Sequence, residues 1–381
     1  MTGFLPLTRP GIDEETIATV ADVLRSGWLT TGQKCSELEA VLSERAAGRP
    51  VRLVNSATAA LEIGLRIAGV GPGDEVITSA LTWVATANVI VQVGAKPVFV
   101  DINPATRLMD TNLLEAHITP RTRAIMPVDL AGFPVDRDRV YAMAKRFKLR
   151  VIEDAAQSQG SCWKGRPLGS FGDMTAFSFH PNKNMTTGEG GCLVMNNEDE
   201  ARQFEKYRLQ GVTRFPDGTY DCDLPGGKAN LTDIAAAIGL GQIKRLDAFN
   251  QKRRELAKHY FEQLQNDAVF QGLALPPSEF EQANWHMFQL VLAPRLAVYR
   301  PQLIAGMKAL DIATGVHYPA VHQLQLFKRM NLSVAHLIHT EAVSSGILTL
   351  PLFPEMEVAD ILRVCDALKQ VLGQVQHKAG V

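Results

Sequence analysis

The segment VRLVNSATAALEIGLRIAGVGPGDEVITS, from Val51 to Ser79, has the pattern of an apolar strand, a helix and a second apolar strand. The alternation continues along the chain, with further short apolar runs in PVFVD, RAIMPV, RVIED, MTAFSF and CLVMN. Apolar strands that alternate with helices are typical of a mainly parallel sheet with helices on both faces. We therefore predict a three-layer α/β fold.

Other patterns flank this region. The segment DEETIATVADVLRSG predicts an amphipathic helix with Ile17, Val20, Ala21 and Leu24 on its apolar face and Gly27 at its end. After about residue 248 come a long charged helical stretch, strand-like MFQLVLA and ATGVHY, and the amphipathic pattern ADILRVCDALKQVLGQV. We predict a large domain of residues 1–248 and a smaller α+β domain of residues 249–381, linked by the long helix. The loop 213–228, rich in Gly, Pro and Asp, is predicted to be functional or to lie in an interface.

Composition narrows the function classes. The 381 residues carry a net charge of −1 and no basic block, so neither nucleic acid nor a membrane surface is an expected partner. The five cysteines are scattered and contain no CxxC pair, so neither a disulfide framework nor a metal site is expected. The N-terminus lacks the pattern of a signal peptide, and no apolar run approaches the ~20 residues needed to span a bilayer. We predict a cytoplasmic protein.

Two predicted strands end in polar residues that suit a ligand. In VNSATAAL, small and hydroxylic residues lead directly into a helix, whose free N–H groups suit a phosphate. An ordinary helix cap by Ser56 or Thr58 explains the same residues. The segment RVIEDAAQSQG ends a strand with Glu153 and Asp154, which could hold a metal, cap a helix or pair with a buried cation. No GxxxxGK[ST] loop accompanies them, which argues against a nucleoside triphosphatase.

A third strand end holds a lysine. In FSFHPNKNMTTGEGG, Lys183 follows an apolar strand that contains Ser178 and precedes three glycines. Most lysines are solvated surface residues. A partly desolvated lysine amine, however, can form a Schiff base with an aldehyde. A phosphate site, a carboxylate and such a lysine together are what pyridoxal 5'-phosphate requires, and parallel sheets bind ligands beyond the carboxyl ends of their strands.

The chain resembles the DegT/StrS-type nucleotide-sugar aminotransferases, which are pyridoxal-phosphate enzymes of fold type I. The resemblance runs along nearly the whole chain in ordered blocks: SGWLTTGQ, NSATAALEIGL, GDEVITSALTWVATANVI, PVFVDI, ITPRTRAI, VIEDAAQSQG, FSFHPNKNMTTGEGG, NLTDIAAAIGLGQI, HYPAVHQLQLF and LPLFP. It implies an aspartate-aminotransferase-like fold. Among the subfamilies, the chain is most similar to the UDP-4-amino-4-deoxy-L-arabinose type, especially in FLPLTRPGIDEE and SGWLTTGQ.

The resemblance implies roles for particular residues. Lys183 corresponds to the lysine that binds the cofactor and then shuttles the proton, and Asp154 to the partner of the pyridine nitrogen. Gln157 corresponds to the residue that bonds the ring hydroxyl, and Trp83 to the aromatic residue that stacks on the ring. The implied phosphate site consists of Ala57, Thr58, Ser178 and, from the neighbouring subunit, Asn230. A homodimer with shared active sites follows from the role of Asn230.

The implied reaction moves the amino group of L-glutamate to a nucleotide-linked keto-sugar and leaves 2-oxoglutarate. A UDP-4-keto sugar is expected, with a product for lipid A or a surface polysaccharide. Asp129 stands where many relatives have His, which weakens that assignment. Alternatives are another 4-keto or 3-keto sugar, a pyridoxal-binding regulator, or a sugar dehydratase. The dehydratase subgroup has His in place of the lysine, so Lys183 favours transamination.

Four further side chains could contact the sugar or only pack locally. They are His286, His317, Tyr318 and His322. None of them is predicted to be catalytic.

Overall fold

The computed structural model of the protein describes residues 3–265, 267–330, 332 and 337–379. Its strands are β1 (Val51–Val54), β2 (Glu75–Ser79), β3 (Lys96–Val100), β4 (Thr122–Met126), β5 (Arg150–Asp154), β6 (Cys162–Trp163), β7 (Arg166–Pro167), β8 (Met174–Ser178), β9 (Gly191–Val194), β10 (Val212–Arg214), β11 (Tyr220–Cys222), β12 (Leu273–Ala274), β13 (Phe288–Leu292) and β14 (Ile347–Leu350).

The α-helices are α1 (Glu14–Ser26), α2 (Gln33–Arg45), α3 (Ala57–Ile67), α4 (Ala85–Gln92), α5 (Leu114–His117), α6 (Arg137–Phe147), α7 (Glu198–Arg208), α8 (Asp233–Leu264), α9 (Pro294–Ala297), α10 (Arg300–Ala309), α11 (Gln325–Arg329), α12 (Ile338–Gly346) and α13 (Val358–Ala379). None of the helices described is both long enough and apolar enough to cross a bilayer.

A seven-stranded sheet forms the centre of the large part of the chain. Its strand order is β1-β9-β8-β5-β4-β2-β3. The neighbours from β8 to β3 are parallel, whereas β9 is antiparallel to both β1 and β8. Strands β2, β8 and β9 are buried along their whole length. The predicted mainly parallel sheet is therefore confirmed, because strands covered on both faces carry continuous apolar runs.

Helix α3 covers one face of this sheet. Leu61 and Leu65 of α3 share an apolar cluster with Ile152 of β5 and Leu193 of β9. The helix approaches closely because Gly64 has no side chain, and a Cβ there would lie 3.2 Å from the Ile152 Cγ2 atom. This close packing fixes the N-terminus of α3 over the carboxyl ends of β5 and β8.

Helix α1 forms as predicted, but its apolar face differs from the prediction. Asp13 caps its first turn by accepting from the Thr16 N–H, and Gly27 ends it at φ 73°. Thr16 and Val23 are buried, whereas Ile17 and Leu24 are 50% and 54% exposed. The reason is that α1 packs on α8 through Thr16, whose side chain fits against Gly241.

A three-stranded antiparallel sheet, β12-β13-β14, forms the centre of the smaller part. The predicted strand MFQLVLA corresponds to β13, and the predicted closing helix to α13. The predicted strand at ATGVHY is wrong. Within this segment only Gly315 forms a β-bridge, to Thr349, and the following His317 and Tyr318 line the cavity. The division after residue 248 falls inside α8 and stays a prediction. The loop 213–228 contains most of the exposed hairpin β10–β11.

Candidate active site

A cavity of about 420 Å³ lies beyond the carboxyl ends of β5 and β8, at the N-terminus of α3. Seven of the eight residues predicted for the site line it: Ala57, Thr58, Trp83, Asp154, Gln157, Ser178 and Lys183. Asn230 does not line it within this chain, and its side chain donates to the Thr31 hydroxyl over 2.7 Å. The cavity thus gathers residues from segments more than 100 positions apart in the sequence.

Asp154 is the last residue of β5 and is buried. Its Oδ2 atom accepts from the Thr86 hydroxyl over 2.7 Å, and its Oδ1 atom accepts from the Ala156 N–H over 3.2 Å. Burial raises the pKa of this carboxyl group, and these two hydrogen bonds and the charge of Lys183 oppose the rise. A buried carboxylate in this position can pair with a protonated heterocyclic nitrogen.

Lys183 lies in the loop that follows β8. Its backbone N–H donates to the His180 carbonyl over 2.8 Å, which fixes a turn at this point. Burial lowers the pKa of the Lys183 amine to about 8, and the negative charge of Asp154 opposes this effect. About a tenth of the amine is therefore neutral at pH 7, far more than for an ordinary lysine, and the neutral amine is the form that acts as a nucleophile.

The N-terminus of α3 offers an anion site. Ser56 is the N-cap, with extended backbone, and its hydroxyl accepts from the Ala59 N–H over 3.2 Å. The N–H groups of Ala57 and Thr58 belong to the first turn, where a helix has no partner for them, so they remain for a ligand. The cap by Ser56 uses only the Ala59 N–H, so it does not exclude the anion site that the sequence left as an alternative.

Glycine is required beside this helix end. A Cβ on Gly191 of β9 would lie 2.6 Å from the Ala57 nitrogen and 2.7 Å from the Phe177 carbonyl oxygen. The backbone of β9 passes so close to the helix that only glycine fits. This close contact holds β9 against the first turn of α3, next to Gly190, which lines the cavity.

Gln157 has a fixed orientation. Its Oε1 atom accepts from the Ala131 N–H over 2.7 Å, so its amide nitrogen points the other way, toward the Tyr318 hydroxyl at 3.2 Å. The amide can offer its second N–H to a ligand in the cavity that it lines. That orientation suits an acceptor such as a ring hydroxylate.

Trp83 stands at the mouth of the cavity. Its side chain is 58% exposed, and its ring centroid lies 5.7 Å from that of Tyr318. Simple core packing does not explain an exposed tryptophan that lines a cavity. An aromatic face at this place could stack on a planar ring.

The side chains whose role the sequence left open take different positions. His317 and Tyr318 line the cavity, and burial lowers the pKa of His317 to about 4. His322 Nε2 is hydrogen-bonded to Glu341 Oε1 at 3.0 Å, and His286 Nδ1 is hydrogen-bonded to Asn184 Oδ1 at 3.0 Å. Asp129 lies away from the cavity lining and pairs with Arg137 at 2.7 Å.

Sequence reasoning missed the supporting residues. Thr86 holds Asp154 from α4, and Ala131 holds Gln157 with a left-handed backbone at φ 59°. Both contacts join segments that are distant in sequence, and neither a threonine nor an alanine stands out in the sequence as a functional residue. Only the folded chain reveals them.

The cavity fits pyridoxal 5'-phosphate by the chemistry of its groups. It offers an amine with a lowered pKa, a buried carboxylate, an amide donor and a helix N-terminus packed closely against Gly191. These groups match the aldehyde, the ring nitrogen, the ring hydroxyl and the phosphate. Within the described part of the chain, no cluster of His, Cys, Asp and Glu side chains could hold a metal ion.

The sequence pattern of the DegT/DnrJ/EryC1/StrS aminotransferase family matches residues 10–369. The chain is 40% identical to the UDP-4-amino-4-deoxy-L-arabinose–oxoglutarate aminotransferase of Shewanella sediminis, over 97% of this chain and 98% of that protein.

Solved structures are similar over the same length. The sugar aminotransferase Spr1654 of Streptococcus pneumoniae in its PMP form has a TM-score of 0.93 and 33% identity, over 99% of this chain and all of that one (100%). Its PLP form has a TM-score of 0.91 and 34% identity, over 98% and 99% of the two chains. Helicobacter pylori PseC, an aminotransferase involved in the biosynthesis of pseudoaminic acid, has a TM-score of 0.92 and 26% identity, over 97% and 100%.

Proposed function

Because this chain belongs to the DegT/DnrJ/EryC1/StrS aminotransferase family, we propose that it transfers the amino group of L-glutamate to a UDP-linked 4-keto sugar of the 4-amino-4-deoxy-L-arabinose type. The chain is a pyridoxal-phosphate-dependent sugar aminotransferase, so the family, fold, enzyme class and cofactor predicted from the sequence are confirmed. The single observation that carries the substrate proposal is the 40% identity, along almost the whole chain, to an arabinose-type enzyme. The aminated sugar would enter lipid A or a surface polysaccharide.

The cofactor, when bound, supplies an electron sink and a temporary carrier for nitrogen. The ion pair of Asp154 with the ring nitrogen would keep that sink effective, and Gln157 would donate to the ring hydroxyl. The N–H groups of Ala57 and Thr58, with the Ser178 hydroxyl, would hold the phosphate. Trp83 would cover one face of the ring.

Lys183 would perform the proton transfers. Its neutral amine can accept a proton from the substrate carbon that bears the nitrogen and then donate that proton to a different atom. The pKa of the amine, about 8, lies close to the working pH, which suits a general base. In the second half of the cycle it would deliver a proton to the sugar carbon. A lysine at this position also favours transamination over the dehydratase alternative.

We propose that the working form is a homodimer. Among the residues that the structure describes, the cavity lining in one chain contains Lys183 and no arginine, whereas the substrates bring a diphosphate and two carboxylates. Additional polar groups from a second chain would meet that charge, and half-buried Asn230 is the residue proposed to reach the neighbouring phosphate. The exposed Ile17 and Leu24 on α1 provide apolar surface for such an interface. A cytoplasmic location stays a prediction.

Product mass analysis tests this function. The purified enzyme is offered L-glutamate with a panel of 4-keto and 3-keto UDP-, dTDP- and GDP-sugars. The proposal expects a new amino-sugar nucleotide and an equal amount of 2-oxoglutarate, with the UDP-4-keto pentose preferred. Preference for another keto-sugar would overturn the substrate assignment, and release of ammonia without nitrogen in the product would indicate dehydration.

A further inference from the structure

A second, much smaller cavity adjoins the active site. Its volume is about 20 Å³, and its polar wall residues are Thr8, Asn182, His286, His317 and Thr349. Asn182 and His317 also line the main cavity, so the two spaces share a wall. Lys183, the next residue after Asn182, lines the main cavity on the other side of this shared wall.

His286 is the buried polar group of this crevice. It is 4% exposed, and its Nδ1 atom lies 3.0 Å from the Asn184 Oδ1 atom. Among the described residues its Nε2 atom has no hydrogen-bond partner, although the residue lines the crevice. A buried polar nitrogen without a protein partner normally forms its hydrogen bond with a ligand or with a water molecule.

The hydrogen-bond network determines which nitrogen of His286 carries the proton. The Asn184 amide nitrogen donates to the Asn284 carbonyl at 3.0 Å and to the Asn250 Oδ1 atom at 2.7 Å. The Asn250 amide nitrogen in turn donates to the Gln159 carbonyl at 3.2 Å. Since Asn184 Oδ1 is thereby the acceptor, His286 Nδ1 must be the donor.

The remaining nitrogen is therefore an acceptor. Burial, together with the nearby charge of Lys183, lowers the pKa of His286 well below its ordinary value, so the ring is neutral. A neutral ring protonated at Nδ1 presents a bare Nε2 lone pair. The ligand in the crevice must then be a hydrogen-bond donor.

We propose that this crevice holds a single ordered water molecule, which donates to His286 Nε2 and is positioned next to Lys183. A cavity needs about 10–15 Å³ and two to four polar partners to hold one water. The crevice meets the first condition with its 20 Å³ and the second with its five polar wall residues. It is too small for glutamate or a sugar.

The water has a use in the reaction, and this part of the inference rests on the proposed function. When glutamate becomes 2-oxoglutarate, the keto oxygen comes from one water molecule, and the nitrogen stays with the enzyme. When the keto-sugar accepts nitrogen, its oxygen leaves as one water molecule, so atoms balance over the cycle. His286 would be a positioning residue that keeps a water at the place where it is consumed and released.

A crystal structure of the holoenzyme at high resolution tests the site without measuring activity. An ordered water within hydrogen-bond distance of His286 Nε2 is expected, and nitrogen NMR of the histidine rings should show the proton on Nδ1. A dry crevice, or a proton on Nε2, would overturn the proposal. This measurement does not depend on the substrate, so its failure is distinguishable from failure of the proposed function.

Variants test the role of the water. His286→Phe removes the acceptor and fills the crevice. It is expected to slow keto-acid release about tenfold, which corresponds to the loss of one hydrogen bond. The KM for glutamate should be unchanged. His286→Gln, which keeps an acceptor, should recover most of that rate. The exposed variant His339→Phe is the control. Equal rates in His286→Phe and the wild type would overturn the role, as would a slow His286→Gln enzyme that retains its water.

Discussion

The Thr86 hydroxyl donates to the buried Asp154 carboxylate over 2.7 Å. Thr86 Oγ1 also lies 2.8 Å from Thr82 Oγ1 and 3.1 Å from the Trp83 carbonyl. The Thr86 hydroxyl has one proton and donates it to the Asp154 carboxylate. In the contact with Thr82, Thr86 is therefore the acceptor and the Thr82 hydroxyl is the donor. The first turn of α4 thus stabilises the charge of Asp154 against its burial.

Replacing Thr86 with Val should make Asp154 harder to ionise. Thr86 lowers the pKa of Asp154, which burial raises, so the variant's pKa should rise further. In the pH profile of kcat/KM, the acidic limb should move to higher pH by about one to two units. A shift of this size is expected when a charged group loses one hydrogen bond. Thr86→Ser keeps the hydroxyl and should retain the wild-type profile. An unchanged acid limb in Thr86→Val would show that Asp154 is not the group that titrates.

Lys183→Ala should lose turnover by about 10⁴-fold or more, because the proton transfers lose their base. The visible absorbance of the enzyme-bound cofactor should disappear, and hydride reduction should leave no pyridoxyl label on the peptide that contains residue 183. The far-UV circular dichroism should be unchanged. Lys308→Ala, on the exposed side of α10, is the matched control. Wild-type transamination by Lys183→Ala would refute the assignment.

The apoenzyme should show the lowered pKa of Lys183 directly. With a pKa of about 8, half of this amine is neutral at pH 8. Ordinary lysines, with a pKa near 10.4, are almost fully protonated there. Trace acylation followed by peptide mass spectrometry should therefore give Lys183 a labelling midpoint near pH 8. Asp154→Asn removes the charge that raises this pKa, so its midpoint should move lower; a midpoint near pH 10 would contradict the burial of the amine.

The sequence was sufficient for the large sheet because its strands are apolar on both faces and alternate regularly with helices. Seven of the residues predicted for the site line one cavity: Asp154, Lys183 and the helix start at Ala57 and Thr58 drew attention by their place at strand ends, whereas Trp83 and Gln157 came from the family resemblance. The sequence could not find Thr86, Ala131 or Asn184, whose roles depend on contacts between distant segments. It failed at ATGVHY, where a β-like pattern belongs to a cavity wall, because alternation alone does not specify a strand partner.

Gly191→Ala should weaken cofactor binding selectively. The added methyl group would lie 2.6 Å from the Ala57 nitrogen and 2.7 Å from the Phe177 carbonyl oxygen. The N-terminus of α3 would have to move, and overpacking of this kind costs about 1–3 kcal/mol. Titration with pyridoxal phosphate should give a Kd about tenfold higher or more. Gly71→Ala, where a Cβ would meet no atom within 4 Å, is the control and should bind normally.

Asp129 should matter for stability and little for the chemistry of the cofactor. Its carboxylate is fully buried and accepts from Arg137 at 2.7 Å, Ser158 at 2.8 Å and the Val135 N–H at 2.9 Å. Arg137 is equally buried and, within the described ranges, would keep only Glu153, at 2.9 Å, as an acidic partner. Breaking a buried pair by removing one partner costs about 3–5 kcal/mol.

Asp129→Ala should therefore lower the free energy of unfolding by about that amount, as measured in urea. The control is Asp22→Ala, which breaks an exposed ion pair. The Asp22 side chain is 74% exposed, and that of its partner Arg25 is 75% exposed. Asp22→Ala should cost at most about 1 kcal/mol. Because Asp129 does not line the cavity, the folded fraction of Asp129→Ala should keep the visible spectrum of the holoenzyme. A stable variant with an altered spectrum would mean that this residue acts on the cofactor after all.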